Sequence, residues 1–415
     1  MKPITIAIAG CGSRGQDTYA ACQDRFPERM KIVAAADIRP EKLAQMKEKY
    51  GLADDQLFAS AEEMLLQPRL ADVMVIATPD RCHYQQAMAA LEKDYHLLLE
   101  KPISPSAQEC RDIEALATQR NRHVVVCHVL RYTVFYQKLK ELIDSGAVGE
   151  VMSIQAIERV GHWHQAHSFV RGNWRNAALS TPMILQKCCH DMDILLWLSG
   201  KRCQSVSSFG SLVHFTPENA PEGSADRCVD CAVETCPYNA VKFYMGKLVS
   251  GKLDWPLNVL TTVPDEEHVM QALREGPYGR CVYRCDNDVV DHQVVNLCLE
   301  GGATINFTMC AFTKECARYL RIMGTMGEIV ADMEKNTIEV MPFMAENEFI
   351  DVTKLTEDFS GHGGGDARMV EDLLNLISGE GEAKGLTSIS RSVESHLVAM
   401  AAEESRTHGG AVQGV

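Results

Sequence analysis

The chain has 415 residues, of which 46% are apolar and 23% are charged, a balance close to that of ordinary folded proteins. This composition excludes disordered, collagenous and coiled-coil chains, and at about 100–200 residues per domain the length predicts two or three domains. The formal net charge is −15, which argues against nucleic acid and anionic membrane surfaces as partners.

The beginning of the chain has the pattern of a buried strand. The apolar run Ile4–Ala9 covers six residues, and Gly10 follows at once. A secretory signal needs a longer apolar stretch, and a membrane span needs about 20 apolar residues. We therefore expect a cytoplasmic protein without a membrane partner, in which the 16 cysteines are mostly reduced.

Residues 1–125 alternate short apolar runs with helix-period patterns such as Pro40–Tyr50 and His83–Lys93. Most of the runs lack polar alternation, as strands covered on both faces do. This pattern is typical of βαβ units and predicts a first domain with a parallel sheet. The expected strands are Ile4–Ala9, Ile32–Ala36, Val73–Ala77, His96–Leu99 and Val124–Cys127.

Residues 126–415 have a different pattern, and we interpret them as a second domain. Apolar and polar residues alternate in several runs, which predicts an antiparallel sheet with one wet face. Two helices are expected to close the chain, and residues 217–290, rich in Cys, Pro and Gly, are interpreted as an insertion. The expected elements are strands Ser153–Val160, Ser205–Phe215, Asp291–Leu299, Thr304–Met309 and Tyr319–Met323, and helices Asp366–Ile377 and Ile389–Thr407.

The first strand runs directly into a G-x-G-x-x-G loop that opens a helix. Its glycines allow a tight turn and a close approach of a pyrophosphate, so the pattern predicts dinucleotide binding. Asp37 ends the second strand 22 positions after Gly15 and favours NAD through the ribose hydroxyls, while Arg39 leaves NADP open. The expected cofactor residues here are Gly10, Gly12, Ser13, Arg14, Gly15, Asp37 and Arg39.

Two further strand ends carry polar residues, and such ends face the ligand crevice in parallel sheets. Thr78 and Pro79 follow the third strand, with His83 nearby, and are expected at the nicotinamide end. The alternative is an ordinary turn in which His83 caps a helix. Glu100 and Lys101 end the next strand, where a lysine can bond both a substrate hydroxyl and a nicotinamide ribose hydroxyl; the alternative is a surface lysine before a turn.

These motifs, in this order and spacing, resemble the Gfo/Idh/MocA oxidoreductase family, which includes glucose–fructose oxidoreductase and inositol dehydrogenases. The similarity extends through Arg131-Tyr132, Gly146 to Gly149 and Ala401 to Ser405. The resemblance implies a Rossmann domain followed by an α/β domain with a large, mostly antiparallel open sheet. It also implies NAD(P)-dependent chemistry at a sugar or cyclitol hydroxyl and assembly as a homodimer or homotetramer.

The family's second catalytic motif, Asp-x-Gly-x-His-x-x-Asp, is only partly matched. His190 and Asp193 agree with it, but Gln186 stands where the family has the first Asp. A glutamine can position a hydroxyl but cannot take its proton, so acid–base work is expected at Lys101 and His190. Lys187 is a candidate replacement for the lost carboxylate. The alternatives are a satisfied core histidine and a solvated helix lysine.

The segment 161–175 holds three His, two Trp and two Arg. Rings that stack and polar groups that fix hydroxyls suit a carbohydrate pocket, while packing and turn roles are the alternative. The spacing of the three histidines fits no familiar metal site well. The expected substrate residues are Arg131, Trp163, His164, His167, Trp174, Arg175, Gln186, Lys187 and His190, and His362 is a further candidate.

The cysteines of the proposed insertion form a spaced group, C-x2-C-x4-C followed by C-x3-C. Four thiolates would suit a tetrahedral structural zinc, which stabilises small loop-rich segments. The expected ligands are Cys228, Cys231, Cys236 and Cys281, with Cys285 as an alternate. Free core thiols and an iron–sulfur cluster are the alternatives.

The sequence thus predicts hydride transfer between a sugar or cyclitol carbon and NAD, with Lys101 removing the hydroxyl proton and His190 assisting. The expected partner is a small sugar, glycoside or cyclitol. A redox-neutral glycosidase or lyase that acts through a transient keto-sugar is the first alternative. A dinucleotide-binding protein without catalysis is the second.

Overall fold

The computed structural model describes residues 2–381 and 384–415 and contains two large sheets. The first has six parallel strands in the order β3-β2-β1-β4-β5-β6. The order reverses between β1 and β4, where open α/β sheets bind their ligands. The strands are β1 Ile4–Ala9, β2 Met30–Ala36, β3 Leu57–Phe58, β4 Val73–Ile76, β5 His96–Leu99 and β6 Val124–Val126.

Helices connect these strands, and a serine or threonine caps several of them. The Ser60, Ser106 and Thr133 side chains each accept a backbone N–H of the first helical turn, which satisfies a donor that the helix leaves free. The strands are buried on both faces, which explains their near-continuous apolar runs. The helices are α1 Pro40–Tyr50, α2 Ala61–Leu66, α3 His83–Glu92, α4 Ala107–Gln119 and α5 Val134–Asp144.

The second sheet has nine strands in the order β14-β13-β12-β11-β7-β10-β9-β8-β15. Its described pairings are antiparallel except β7 with β10, so the expected mostly antiparallel sheet is confirmed. The strands are β7 Val151–Arg159, β8 Cys203–Ser211, β9 His292–Leu299, β10 Thr304–Cys310, β11 Ala317–Gly324, β12 Gly327–Asp332, β13 Thr337–Pro342, β14 Glu348–Asp351 and β15 Gln413–Gly414.

One face of this sheet is covered by helices and the other is open. On β7, Ile154 is fully buried, whereas Gln155 and Ile157 on the opposite face are exposed. The last long helix packs on β8 and also on α4 of the first half, and the boundary expected between residues 125 and 126 falls within β6. The helices of the second half are α6 His162–His164, α7 Met183–Gln186, α8 Cys189–Ser199, α9 Ala240–Val249, α10 Glu266–Glu275, α11 Ser360–Ser378 and α12 Ile389–Thr407.

Residues 217–290 contain more regular structure than their sequence pattern suggests. They carry α9 and α10, which pack around a small apolar core. Its buried residues are Ala240, Tyr244, Leu257, Val269 and Leu273. In the part of the chain that the structure describes, no helix combines the length and apolarity needed to span a membrane.

Candidate functional site

The glycine loop lies between β1 and a helical segment of π-type turns, Ser13–Tyr19. Gly10 has φ +89°, and a Cβ there would lie 2.6 Å from the Ala77 carbonyl oxygen, while a Cβ on Gly15 would lie 1.8 Å from the Gly10 carbonyl oxygen. Among the residues that the structure describes, only the Arg39 side chain comes within 4 Å of a Cβ built on Gly12. The backbone is therefore tightly folded and open at Gly12, as pyrophosphate binding at a helix start requires.

Asp37 follows β2 and faces the same loop. Its carboxylate accepts the Cys11 N–H at 2.7 Å and the Arg39 N–H at 2.9 Å, and Arg39 Nε donates to it at 3.0 Å. Burial opposes ionisation, but these hydrogen bonds outweigh it and lower the pKa of Asp37. An ionised carboxylate at this place fits ribose hydroxyls and repels a 2′-phosphate.

Arg14 connects the glycine loop to two distant elements. Its Nε donates to Glu100 Oε1 at 2.6 Å, and its Nη2 donates to Asp366 Oδ1 at 2.8 Å. Tyr19 donates to the same Glu100 oxygen at 2.5 Å. Burial would raise the pKa of Glu100, but Arg14 and Lys101 hold it below its usual range. Arg14 and Glu100 thus brace the loop, while the neighbouring Ser13 is exposed.

His83 braces the two strand ends that carry the other expected cofactor residues. One ring nitrogen contacts the Pro102 carbonyl oxygen at 2.8 Å, and the other contacts the Thr78 carbonyl oxygen at 2.9 Å. The Thr78 hydroxyl donates to Gln86 at 2.6 Å, and Pro79 precedes the turn after β4. His83 is buried, so it holds the loops after β4 and β5 together.

Lys101 reaches across the crevice to α7 of the second half. Its Nζ donates to the Gln186 backbone carbonyl at 2.9 Å and lies 6.0 Å from the ring centroid of Trp174. The Gln186 side-chain amide is assigned the orientation in which both of its polar atoms have hydrogen-bond partners. Its oxygen then accepts the Trp174 indole N–H at 2.7 Å, and its nitrogen donates to Asp80 at 3.2 Å. Gln186 therefore positions both the lysine and the indole.

His190 lies at the first turn of α8, and its Nδ1 is buried without a hydrogen-bond partner among the described residues. Its ring meets His128 edge-on at 5.6 Å between centroids, and His128 meets His396 at 5.3 Å. Burial, helped by the Lys101 charge, lowers the pKa of His190 well below its usual range. His190 is therefore neutral near pH 7 and able to accept a hydrogen bond.

Two arginines expected to bind substrate are held by carboxylates. Arg131 forms a buried bidentate pair with Asp193, with Nε–Oδ2 and Nη2–Oδ1 distances of 2.6 Å. Arg175 donates to both Asp286 oxygens at 2.9 and 3.1 Å. Both guanidinium groups thus have partners that occupy the donors a sugar would use.

Lys187 lies in a buried group of charges behind α8. Its Nζ is 3.3 Å from Glu158, and Arg318 bonds both Glu158, at 2.9 Å, and Asp191, at 2.7 Å. Burial raises the pKa of Asp191 despite Arg318. The structure therefore places the Lys187 ammonium in an ion-pair network with Glu158.

The histidine-rich segment packs against residues 217–290. Trp163 stacks on His164 at 5.4 Å, and His167 stacks on Tyr278 at 4.6 Å and contacts the Tyr244 hydroxyl. Burial lowers the pKa of His167 to about 3, and burial also lowers the pKa of His164. No local sequence pattern indicates these ring partners, because Tyr244 and Tyr278 lie 77 and 111 residues after His167.

The expected zinc site is not supported. The four proposed ligands line one small cavity, but among residues 2–381 and 384–415 no three His, Cys, Asp or Glu side chains are arranged to hold a metal ion. A cation is already present, because Arg171 Nη2 lies 3.5 Å from Cys228 Sγ and is fixed by the Tyr238 carbonyl at 2.7 Å. The proposed ligands are Cys228, Cys231, Cys236 and Cys281; the alternate, Cys285, instead bonds the Cys281 carbonyl.

Known proteins match this chain over both halves. YteT of Bacillus subtilis (strain 168) is 25% identical over 388 residues, covering 89% of this chain and 88% of YteT. Inositol 2-dehydrogenase of Corynebacterium glutamicum (strain R) is 25% identical over 49% of this chain and 57% of its own. The WlbA dehydrogenase of Bordetella pertussis, solved with NADH and UDP-GlcNAcA, has the same fold, with a TM-score of 0.70, 17% identity, and coverage of 100% of this chain and 98% of that one.

Two family models also match. The NAD-binding Rossmann fold of the GFO_IDH_MocA oxidoreductase family matches residues 4–128, and the C-terminal alpha/beta domain of that family matches residues 140–413. These matches cover nearly the whole chain and agree with the glycine loop, the strand order and the second sheet described above. The chain therefore belongs to the Gfo/Idh/MocA oxidoreductase family, whose first domain is an NAD-binding Rossmann fold.

Proposed function

We propose that this protein transfers a hydride between a hydroxyl-bearing carbon of a sugar or cyclitol and the nicotinamide of NAD. The observation that carries the proposal is the placement of Lys101 at the end of β5, facing Gln186 of α7. The relatives support the substrate class, because one is an inositol 2-dehydrogenase and a protein of the same fold was solved with NADH and a UDP-sugar.

Two sets of residues would hold the cofactor. The backbone of the glycine loop fits the pyrophosphate, and Asp37 fits the adenosine ribose and favours NAD over NADP. When bound, NAD supplies the group that accepts the hydride. The proposed cofactor residues are Gly10, Gly12, Ser13, Arg14, Gly15, Asp37, Arg39, Thr78, Pro79, His83, Glu100 and Lys101, of which Arg14, His83 and Glu100 act by bracing the others.

The chain's own residues would then move the proton. Lys101 Nζ takes the proton of the substrate hydroxyl, while hydride leaves the carbon that bears this hydroxyl. Neutral His190 accepts a hydrogen bond from a neighbouring hydroxyl. Gln186 holds Trp174 in place for the substrate ring. A positioned base of this kind contributes about 10²–10⁴-fold to the rate.

The decisive experiment follows NADH absorbance with NAD and a panel of free sugars, inositols and glycosides, and measures aglycone release in each reaction. Stoichiometric NADH with one polyol supports the proposal. Aglycone release without net NADH overturns it in favour of a redox-neutral glycosidase. NAD that binds but never reacts across the panel assigns a non-catalytic dinucleotide-binding role.

We also propose a cytoplasmic homodimer or homotetramer that covers the open face of the second sheet. Ile157 projects from that face with 39% exposure, and uncovered apolar sheet surface favours association. The free thiols of all 16 cysteines are in line with a reducing compartment. Sedimentation of the Ile157→Asp variant tests the assembly: monomers support this interface, and an unchanged oligomer overturns it.

A further inference from the structure

Two buried histidines hold the turn that follows Lys101, each through one backbone group. The Pro102 carbonyl oxygen contacts His83 at 2.8 Å, and the Ile103 N–H donates to His396 Nε2 at 3.0 Å. His83 belongs to the first half of the chain, whereas His396 lies on α12, 293 residues after Ile103. The last long helix therefore bonds the backbone two residues from the proposed base.

The His396 ring is held in the one form that can accept this hydrogen bond. A backbone N–H can only donate, so Nε2 is the acceptor and the proton of the neutral ring is on Nδ1. That nitrogen donates to the Ser392 carbonyl oxygen at 2.9 Å, one turn earlier in α12. His128 packs edge-on against the ring, at 5.3 Å between centroids. The orientation of the imidazole is therefore fixed by α12 and by its packing.

The place of the Lys101 ammonium depends on this turn and on α7. Its Nζ donates to the Gln186 carbonyl oxygen at 2.9 Å, but the four-carbon side chain of a lysine is flexible. The reach of Nζ is therefore set by where the backbone places the Lys101 Cα. Only one residue separates Lys101 from Ile103, so at most about 7 Å of chain lies between their Cα atoms. A displaced Ile103 amide consequently displaces the base.

We propose that His396 is a positioning residue for the reaction, which sets the place of Lys101 in the crevice through the Ile103 amide. This inference rests on the proposed function, because it takes Lys101 as the base. Ile103 is fully buried, and an unpaired donor in the interior is costly. Without the imidazole the turn moves towards another acceptor and takes Lys101 with it. A displacement of about 1 Å at a catalytic group can lower the rate about 10²-fold.

The test compares two amides of different reach at position 396 in the NADH assay. The His396→Asn side chain is too short to reach the Ile103 N–H, so kcat should fall about 10–10²-fold, while the affinity for NAD stays within a few-fold. The His396→Gln side chain is one methylene longer, and its oxygen can accept the Ile103 N–H, so this variant should restore most of kcat. Equal losses of kcat in both variants overturn the positioning role. Should His396→Asn fail to fold, His396→Leu also removes the acceptor and gives the same comparison.

Val398→Ala is the matched control for stability. Val398 lies on the same helix and is fully buried, but it packs in the core of the second sheet. Its truncation should lower the urea midpoint and leave kcat unchanged. A fall of kcat as large as that in His396→Asn would show that activity follows the stability of α12, and this result overturns the positioning role.

Hydrogen exchange at the Ile103 amide, measured by mass spectrometry of overlapping peptides, separates this inference from the chemistry. Faster exchange in His396→Asn, wild-type exchange in His396→Gln and a loss of kcat in the first variant alone support the positioning role. Faster exchange with unchanged kcat overturns it, while wild-type NADH production upholds the proposed function. If the wild type forms no NADH with any compound, the proposed function fails and the exchange alone decides: faster exchange in His396→Asn supports the hold of His396 on the turn, and equal exchange overturns it.

Discussion

The two sides of the crevice are built in different ways. On the nucleotide side, the functional groups lie at strand ends and remain partly accessible: Asp37 bonds Arg39, whose side chain is 46% exposed. On the opposite side, charged groups are buried against distant partners: Arg131 bonds Asp193, 62 residues away. Substitutions on the first side should therefore change chemistry, whereas substitutions in the buried pairs of the second side should change stability.

The largest expected effect is the loss of turnover in Lys101→Met. Removing the amino group takes away the proposed base, so kcat should fall about 10²–10⁴-fold, while the affinity for NAD stays within a few-fold and the unfolding midpoint is retained. Steady-state kinetics and a fluorescence titration with NAD measure the two quantities. Ordinary activity in this variant would remove Lys101 from the mechanism.

The buried pair on the other side predicts a stability effect. Arg131→Met leaves Asp193 charged and unpaired in the interior, which should lower the free energy of unfolding by about 3–5 kcal/mol. Arg175→Met is the matched control, because its partner Asp286 is 51% exposed and such pairs contribute about 0–1 kcal/mol. Urea denaturation measures both variants.

An effect of Arg131→Met on substrate binding, and not on stability, would contradict this comparison of the two sides of the crevice. If Arg131→Met raised KM for the sugar and left the urea midpoint unchanged, the guanidinium would contact substrate and the sequence-based expectation would hold. Should the methionine variant fail to fold, Arg131→Lys gives the same distinction with the charge retained.

Asp37→Ser should change the choice of cofactor. Losing a charged acceptor for the ribose hydroxyls costs about 1.5–3 kcal/mol, so kcat/KM for NAD should fall at least about tenfold. Use of NADP should rise, because Arg39 is released to face a 2′-phosphate. The double variant Asp37→Ser/Arg39→Ala should lose that gain, and an unchanged NAD preference in the single variant would contradict the role of Asp37.

The smallest effect concerns pH. Burial lowers the pKa of His396 to about 3, whereas an unfolded histidine titrates near about 6.5. The unfolded state therefore binds the proton first, so stability is lost as pH falls from about 6.5 towards 3, by about 1.4 kcal/mol per pH unit for this residue.

His396→Gln should reduce that pH dependence, measured as the urea midpoint between pH 7.5 and 5.5. The same substitution at exposed His408 is the matched control. An identical slope in wild type and His396→Gln would show that this imidazole is accessible to protons in the folded state.

The predictable parts of this protein depend on residues close together in sequence. The strands Ile4–Ala9 and His96–Leu99 and the helices Pro40–Tyr50 and Ile389–Thr407 have the bounds that their patterns indicate. The family and the two-part fold followed from motifs at strand ends, which local geometry brings to one edge of the sheet. The glycine loop is predictable because its pattern is local, although Gly10 also packs against the Ala77 carbonyl of a neighbouring strand end.

The rest depends on partners that no local pattern specifies. Lys187 has the spacing of a residue on the same helix face as His190, yet its ammonium forms an ion pair with Glu158 of β7. The cysteine spacing suggested a metal, but Arg171, some sixty residues earlier, already supplies the positive charge. Trp255 was assigned no role from the sequence, because its ring contacts with His164 and His167 join residues about ninety positions apart.

The bond between Arg14 and Asp366 joins residues 352 positions apart. During synthesis, Arg14 leaves the ribosome long before Asp366 exists, and N-terminal segments generally begin to fold first. The nucleotide loop therefore forms in two stages, with its turn made early and its brace added only when the final helices are translated. A chain that ended before Asp366 would lack this bond to the loop, so the last eighth of the chain supports a turn formed near its beginning.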